Sequence, residues 1–171
     1  MVWGVGIIGA GPGVSALHAP TLARVPDFRL VHVSDAGSGR AAPIAAAHGA
    51  RSSTGVHSLL ADAEVDVVAV CSPPAEHAAH IRAALDAGHR TIFCEKPVAI
   101  SAEEAREVLQ ACADVDALLV VGTNHLFDPA WRRAKHHLDS ARARVSAVTV
   151  TLALAPNGRY HQLVSGLPTA P

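Results

Sequence analysis

The chain has 171 residues, which fits one domain and a further segment, since domains usually contain roughly 100–200 residues. Hydrophobic residues make up 50% of it and charged residues 17%, so it can fill a core and is not a disordered tail. The formal net charge of −1 argues against nucleic acid or an anionic membrane as a partner, and no apolar stretch approaches the roughly 18 residues that span a bilayer. Three cysteines, an odd number in apolar runs, favour reduced thiols. With no signal peptide evident, we expect a cytoplasmic protein.

Short apolar runs alternate with helical patterns along the chain. From the N-terminus we predict a strand at residues 2–8, a helix at 14–25, a strand at 29–34, a helix at 40–48, a weak strand at 50–53 and a short helix at 56–61. There follow a strand at 65–71, a helix at 76–87, a strand at 91–95, a helix after Ser101, a strand at 117–122, a helix at 129–138 and a strand at 145–155. This alternation predicts an α/β fold, a doubly wound and mostly parallel Rossmann sheet with helices on both faces.

Particular residues mark where these elements bend and end. Pro20 should bend or restart the first helix, because proline lacks the backbone N–H that a helix interior needs. Gly88 is placed to end the helix at 76–87. Ser101, followed three residues later by Glu104, has the pattern of a capping box. The run at 65–71 is almost wholly apolar, as a strand buried on both faces should be.

The end of the chain departs from this alternation. The strand predicted at 145–155 has no evident partner left in the sequence, and residues 156–171 are rich in Pro and Gly without periodicity. We therefore interpret residues 1–124 as one domain, and residues 125–171 as a linking helix and the first strand of a truncated second domain. An unpaired strand exposes its backbone N–H and C=O groups, so we expect homo-oligomers to form through residues 145–155.

A glycine-rich turn joins the first predicted strand to the first predicted helix. It departs from the G-x-G-x-x-G fingerprint, because Val14 stands in the place of the third glycine and Gly13 comes one residue early. In such a turn the first glycine permits a tight bend and the second lets the backbone approach a pyrophosphate, which the helix N-terminus then attracts. We therefore predict a dinucleotide site at this turn, formed by Gly9, Gly11, Pro12, Gly13 and Val14.

An acidic residue, Asp35, follows the second predicted strand at about the spacing expected for a ribose-binding carboxylate. A carboxylate there accepts hydrogen bonds from the ribose hydroxyls and repels a 2′-phosphate, which favours NAD over NADP. Arg40 is close enough in sequence to reach a 2′-phosphate, so NADP is not excluded. The alternative for Asp35 is a plain turn residue, since Asp is a common turn former.

Two further segments follow the strands predicted at 65–71 and 91–95. They read Cys-Ser-Pro-Pro-Ala-Glu-His at residues 71–77 and Phe-Cys-Glu-Lys-Pro at residues 93–97. Together with the runs at 84–89 and 122–129, they resemble the Gfo/Idh/MocA family of NAD(P)-dependent oxidoreductases over residues 2 to about 155. The Glu95-Lys96-Pro97 block is the most specific part of this resemblance.

The resemblance implies hydride transfer between a nicotinamide and the alcohol or ketone of a sugar or cyclitol, with NAD as the cofactor and a small polyol or sugar as the substrate. It places Lys96 at the nicotinamide as the catalytic residue, where an ammonium group can polarise a substrate oxygen or donate a hydrogen bond to it. It also implies a cis bond before Pro97. Around the ribose and nicotinamide we expect Ser72, Pro73, His77, Glu95, Lys96 and Asn124.

Departures from the family pattern keep a second function open. Relatives continue into a second domain that carries an Asp and a His for acid–base chemistry, and no residue of this chain matches them. Leu126 stands where many relatives have arginine. The alternative to an enzyme is therefore a non-catalytic cofactor-binding or scaffold protein. His77 and His80 are spaced three apart on a predicted helix but have no third ligand nearby in sequence, so we predict no metal site.

Overall fold

Six parallel strands form the centre of the fold in the computed structural model, which describes residues 1–140, 145–149 and 151. They are β1 (Trp3–Ile8), β2 (Phe28–Asp35), β3 (Arg51–Thr54), β4 (Val67–Val70), β5 (Thr91–Cys94) and β6 (Leu118–Val121). Their order across the sheet is β3-β2-β1-β4-β5-β6, and every neighbouring pair is parallel. This confirms the predicted doubly wound sheet. The strand order reverses between β1 and β4, which is where such sheets form a ligand crevice beyond the carboxyl ends of the strands.

Helices cover both faces of the sheet, as predicted. They are α1 (Ala19–Leu22), α2 (Ala41–Ala47), α3 (His57–Leu60), α4 (His77–Asp86), α5 (Ala102–Asp114) and α6 (Pro129–Ser140). One apolar cluster joins α3, α4 and α5 to the sheet, and a second joins α1 and α2 to its other face. In β4, Val68 and Val70 belong to the first cluster and Ala69 to the second, so this strand is buried on both faces. None of the residues of α6 is buried.

The first helix begins with a widened turn. From Val14 to His18 the backbone forms a π-type turn, in which the N–H of Ala19 donates to the carbonyl of Val14. The α-helical part then restarts as Ala19–Leu22, with Pro20 in its first turn, where a missing N–H breaks no helical hydrogen bond. The predicted restart at Pro20 is confirmed, and the helix ends three residues earlier than predicted.

The predicted capping box before α5 forms with one change of partner. Ser101 Oγ accepts a hydrogen bond from the N–H of Glu104 at 3.1 Å, which satisfies one of the free donors of the first turn. The carboxylate of Glu104 accepts in return from the N–H of Ile100, also at 3.1 Å, instead of from Ser101 itself. The cap therefore holds the chain one residue further upstream than the capping-box pattern predicts.

The strand predicted at 145–155 is not seen in the part of it that the structure describes. Residues 145–149 and 151 are exposed and belong to no strand, while residues 150 and 152–155 lie outside the described residues. A strand requires a neighbour to accept and donate its backbone hydrogen bonds, and β6, the last strand of the sheet, pairs with β5. The domain boundary at residue 124 stays a prediction. No helix within the described ranges is both long enough and apolar enough to cross a membrane.

Candidate functional site

A cleft of about 340 Å³ lies beyond the carboxyl ends of β1, β2 and β4, where the strand order reverses. Of the residues predicted to bind a dinucleotide, the cleft is lined by Gly9, Gly11, Asp35, Ser72 and Pro73. Several other lining residues were not predicted from the sequence, among them Ser38, Gly55, Val56, Glu76 and His80. Arg40, predicted only as a possible partner for a 2′-phosphate, also lines the cleft. The sheet thus brings together loops that are distant in sequence.

Gly9 makes the tight bend that the glycine turn requires. Its φ of +109° is one that residues with a side chain rarely adopt, and a Cβ there would lie 2.5 Å from the carbonyl oxygen of Cys71. The turn therefore passes directly against the loop after β4. Both loops can then contribute to one wall of the cleft.

Gly11 has a different reason to be glycine. A Cβ at Gly11 would meet no atom of the protein within 4 Å, yet the residue lines the cleft. No atom of the protein therefore excludes a side chain at this position. A ligand that lies close to the backbone would exclude one. This open cradle, at the start of the first helix, fits the pyrophosphate of a dinucleotide, which could approach the backbone there without meeting a side chain.

Asp35 ends β2 and organises the next loop with its carboxylate. Oδ1 accepts from the N–H of Gly37 at 2.8 Å, while Oδ2 accepts from Ser38 Oγ at 2.8 Å and from the N–H of Ala41 at 3.0 Å. These hydrogen bonds, above all that from Ala41, lower the pKa of Asp35 to about 2. Asp35 is therefore ionised at neutral pH and caps the start of α2. Asp35 thus stabilises a turn, which is the alternative that the sequence left open, and it also lines the cleft.

Ser72 and His80 form a polar pair on the opposite wall of the cleft. Ser72 Oγ lies 2.8 Å from His80 Nδ1, and His80 Nε2 lies 3.8 Å from the carboxylate of Glu76. Burial lowers the pKa of His80 below its ordinary value, so the neutral imidazole is favoured at neutral pH. A neutral imidazole can accept or donate a hydrogen bond, and it adds no positive charge to the cleft.

Two predicted binding residues have their side chains away from the cleft. Val14 is 2% exposed and packs in the core, and its N–H donates to the carbonyl of Gly11 at 3.0 Å. His77 is 1% exposed, with Nδ1 2.6 Å from the carbonyl of Pro97 and Nε2 2.8 Å from the carbonyl of Ser72. Burial and these internal bonds leave neither residue a polar group to offer a ligand. His77 instead joins two loops.

Three other predicted residues stand outside the lining of the cleft. Pro12 and Gly13 belong to the glycine turn without facing the cavity. Asn124 is exposed at the start of a short 3₁₀ turn, Asn124–Phe127, beyond β6. Their roles in binding remain predictions, since a bound dinucleotide would extend further than the cavity.

The Glu95-Lys96-Pro97 block follows β5, also beyond the lining of the cleft. Lys96 is exposed, and the peptide bond between Lys96 and Pro97 is cis, as the resemblance implied. The carboxylate of Glu95 accepts from the N–H of Lys96 at 3.1 Å through Oε2, while Oε1 lies 3.0 Å from His18 Nε2. No local pattern could have identified His18, because only the fold brings its helix against β5.

Comparisons with known proteins agree with this geometry. The family model described as an oxidoreductase family with an NAD-binding Rossmann fold matches residues 3–123. Inositol 2-dehydrogenase of Rhizobium meliloti (strain 1021) is 37% identical over 147 residues, which cover 85% of this chain and 44% of that protein. The chain thus spans less than half the length of this relative.

Solved structures with bound cofactors share the fold. GenD2 from gentamicin A biosynthesis, in complex with NAD, has a TM-score of 0.74 at 30% identity over 82% of this chain and 40% of that one. The 3-ketoreductase KijD10 from Actinomadura kijaniata, in complex with NADP and TDP-benzene, has a TM-score of 0.75 at 26% identity over 82% and 43%. With its parallel six-stranded sheet, its glycine turn and a family match across the whole sheet, this chain belongs to the Gfo/Idh/MocA oxidoreductase family with an NAD-binding Rossmann fold.

Proposed function

We propose that the chain supplies the dinucleotide-binding part of an NAD(P)-dependent oxidoreductase that acts on a sugar or cyclitol. The observation that carries this proposal is the cleft at the switch point of the sheet, with its open glycine cradle at Gly11 and an ionised Asp35 on the neighbouring strand. The relative named as an inositol 2-dehydrogenase supports the substrate class.

The glycine turn would hold the pyrophosphate, and the loop after β2 the adenosine ribose. Three donors of the protein already bind the carboxylate of Asp35, and an ionised carboxylate has about four acceptor sites. About one site remains for a ribose hydroxyl. Arg40, exposed at the same cleft, supplies a cation suited to a 2′-phosphate. We therefore expect NAD to be preferred and NADP to be accepted.

Lys96 would serve at the reacting end of the cofactor. The bound nicotinamide would supply the hydride acceptor or donor. In oxidation the carbinol carbon of the substrate would give up a hydride and its hydroxyl would release a proton to water; in reduction the carbonyl carbon would take the hydride and the oxygen would take a proton. The ammonium group of Lys96 donates a hydrogen bond to the substrate oxygen, which stabilises the negative charge that develops there as the carbonyl forms or is reduced. Ser72, on the loop after β4, would lie between this end and the pyrophosphate.

Titration of the purified chain with NADH and, separately, NADPH tests the proposal, with the change in nicotinamide fluorescence as the signal. We expect saturable binding of both, tighter for NADH, and at least a tenfold loss in Gly11→Leu, whose side chain would fill the cradle. Ala113→Leu, with the same side chain added at an exposed position of α5, is the matched control and should bind like the parent. Binding that survives in Gly11→Leu would contradict this placement of the pyrophosphate.

The chemistry requires a second assay. NADH formation on addition of cyclitols or sugars, lost in Lys96→Met, would support catalysis. Saturable binding with no turnover of any of these substrates would favour the alternative, a non-catalytic cofactor-binding protein. Binding of neither dinucleotide by a folded chain would contradict both.

We further propose a cytoplasmic location and self-association through residues 145–155. All three cysteines are free thiols, which suits a reducing compartment. The described residues 145–149 are exposed and include Val145 and Val148, which are 50% and 73% exposed. Light scattering after size exclusion should show a mass above that of one 17.6 kDa chain. Cell fractionation tests the location.

A further inference from the structure

Two histidines on different helices hold the segment Glu95 to Pro97 from opposite ends. His18, in the π-type turn before α1, reaches across to β5, and its Nε2 lies 3.0 Å from Oε1 of Glu95. The imidazole also packs edge-on against the ring of Phe93, with centroids 5.8 Å apart at an interplanar angle of 62°. Both partners belong to β5 or follow it directly, so His18 is fixed by two contacts.

The carboxylate of Glu95 links His18 to the backbone of Lys96. Its second oxygen accepts a hydrogen bond from the N–H of Lys96 at 3.1 Å. Space for the carboxylate depends on Gly122, because a Cβ there would lie 3.3 Å from Glu95 Cδ and 3.0 Å from the ring of Phe93. The side chain of Glu95 is thus confined by His18, by its own loop and by the chain after β6.

At the other end, His77 at the start of α4 binds the backbone of two loops. Its ring nitrogens lie 2.6 Å from the carbonyl of Pro97 and 2.8 Å from the carbonyl of Ser72. Carbonyl oxygens only accept hydrogen bonds, so whichever ring nitrogen carries a proton donates it to the carbonyl that it faces. The residue is 1% exposed, which keeps water from competing for either carbonyl.

We infer that His18 and His77 form a two-histidine clamp that positions Lys96, one through the carboxylate of Glu95 and the other through the carbonyl of Pro97. The clamp fixes the lysine backbone relative to the helix of the glycine turn and to the loop that carries Ser72. These are the two elements that would hold the pyrophosphate and the ribose next to the nicotinamide. His18 and His77 are positioning residues, and the inference rests on the role proposed for Lys96.

The π-type turn explains how His18 reaches Glu95. A π-type turn holds one more residue than an α-helical turn between its hydrogen-bonded groups, which changes the direction of the side chains that follow. Such turns occur frequently at functional sites. Here the turn ends at His18, the residue that contacts both Phe93 and Glu95.

The lysine content of the chain permits a direct test. Lys96 and Lys135 are its only lysines. Reductive methylation with ¹³C-formaldehyde keeps their positive charge and places an NMR label on each. Lys135, paired with Asp139 at 2.7 Å on α6, is an internal reference, and Asp139→Asn assigns its signal. The three chains to compare are the parent, His18→Leu, and His18→Gln, whose amide can donate near the position of Nε2.

Without any ligand, the Lys96 signal should move or broaden in His18→Leu by more than the Lys135 signal does, and should stay close to the parent in His18→Gln. An unchanged Lys96 signal in a folded His18→Leu would overturn the clamp. If His18→Leu does not fold, Glu95→Gln replaces it. The two contacts of Glu95 use its two carboxylate oxygens, and a glutamine has only one oxygen, so it cannot keep both contacts in their present geometry. The same comparison of the two lysine signals then applies.

Addition of NADH separates this inference from the proposed function. In the parent, NADH should shift the Lys96 signal and leave Lys135 unchanged, and the shift should shrink at least twofold in His18→Leu. If NADH binds the parent without moving the Lys96 signal, the proposed role of Lys96 fails, whatever the ligand-free spectra show. If NADH shifts Lys96 equally in the parent and in His18→Leu, the clamp fails while the proposed role stands.

Discussion

Replacing Asp35 by Asn should destabilise the fold by about 2 kcal/mol at neutral pH. The carboxylate accepts from the N–H groups of Gly37 and Ala41 and from the hydroxyl of Ser38. Folding lowers its pKa from 3.8 to about 2, and one pKa unit corresponds to about 1.4 kcal/mol. An asparagine would direct its NH₂ group at one of these donors and so lose at least one of the three hydrogen bonds.

The effect of Asp35 should depend on pH with a definite sign. The carboxylate has a lower pKa in the folded chain than in the unfolded chain, so the unfolded chain binds more protons between pH 4 and pH 2. Its contribution is therefore complete above about pH 4 and is lost as the pH falls towards 2. The difference in unfolding free energy between the parent and Asp35→Asn should have its whole value of about 2 kcal/mol at pH 6 and should be smaller at pH 3.

Urea denaturation followed by far-ultraviolet circular dichroism at pH 6, 4.5 and 3 measures this difference. Asp27→Asn is the control, because Asp27 is exposed and its carboxylate makes no hydrogen bond within the described residues. It should change the unfolding free energy by less than about 0.5 kcal/mol at each pH. The reasoning would be refuted if Asp35→Asn lowered the unfolding free energy by as little as Asp27→Asn does, or by the same amount at pH 6 and at pH 3.

Two further substitutions and one labelling experiment have expected outcomes. Gly9→Ala should cost at least about 2 kcal/mol in urea denaturation, because the methyl group meets the carbonyl of Cys71 at a strained φ; a cost below about 1 kcal/mol would contradict that contact. Ser101→Ala should lower the unfolding free energy by about 1 kcal/mol through loss of the cap on α5, measured in the same way, and Ser101→Asp should restore most of it. Burial raises the pKa of both Cys71 and Cys94 to about 12, so these thiols should react slowly with iodoacetamide at pH 7 in the native chain and rapidly in urea. Fast labelling of the folded chain at either thiol would contradict this.

The strands and most helices could be predicted because their signals are local. The run at 65–71 alternates between two buried faces, and its β4 core, Val68 to Val70, packs into both apolar clusters. Ser101 and Glu104 mark the start of α5 within four residues. Residues 145–149 and 151, the described part of the strand predicted at 145–155, show the limit of such signals: they belong to no strand, because an apolar run becomes a strand only when another strand lies beside it.

Part of the cleft was predictable from short segments of the sequence. We predicted Gly9, Gly11 and Asp35 together because a turn at a strand end and an acidic residue at a known spacing point to one ligand, and all three line the cleft. Val14 and His77, predicted with them, have their side chains away from the cleft. Their positions in the sequence are those of ligand-facing residues, and only packing shows that one side chain enters the core and the other joins two loops.

The alternation of apolar runs with helical patterns was thus sufficient to predict the α/β class and the parallel sheet, and the glycines themselves located the turn, since each of these signals lies within short segments of the sequence. Tertiary structure decided which side chains meet. His18 contacts Glu95, and Ser72 contacts His80, because the fold brings the π-type turn before α1 to the end of β5 and brings α4 to the loop after β4. Hydrogen bonds between such distant residues depend on distances of about 3 Å, which no spacing along the chain specifies.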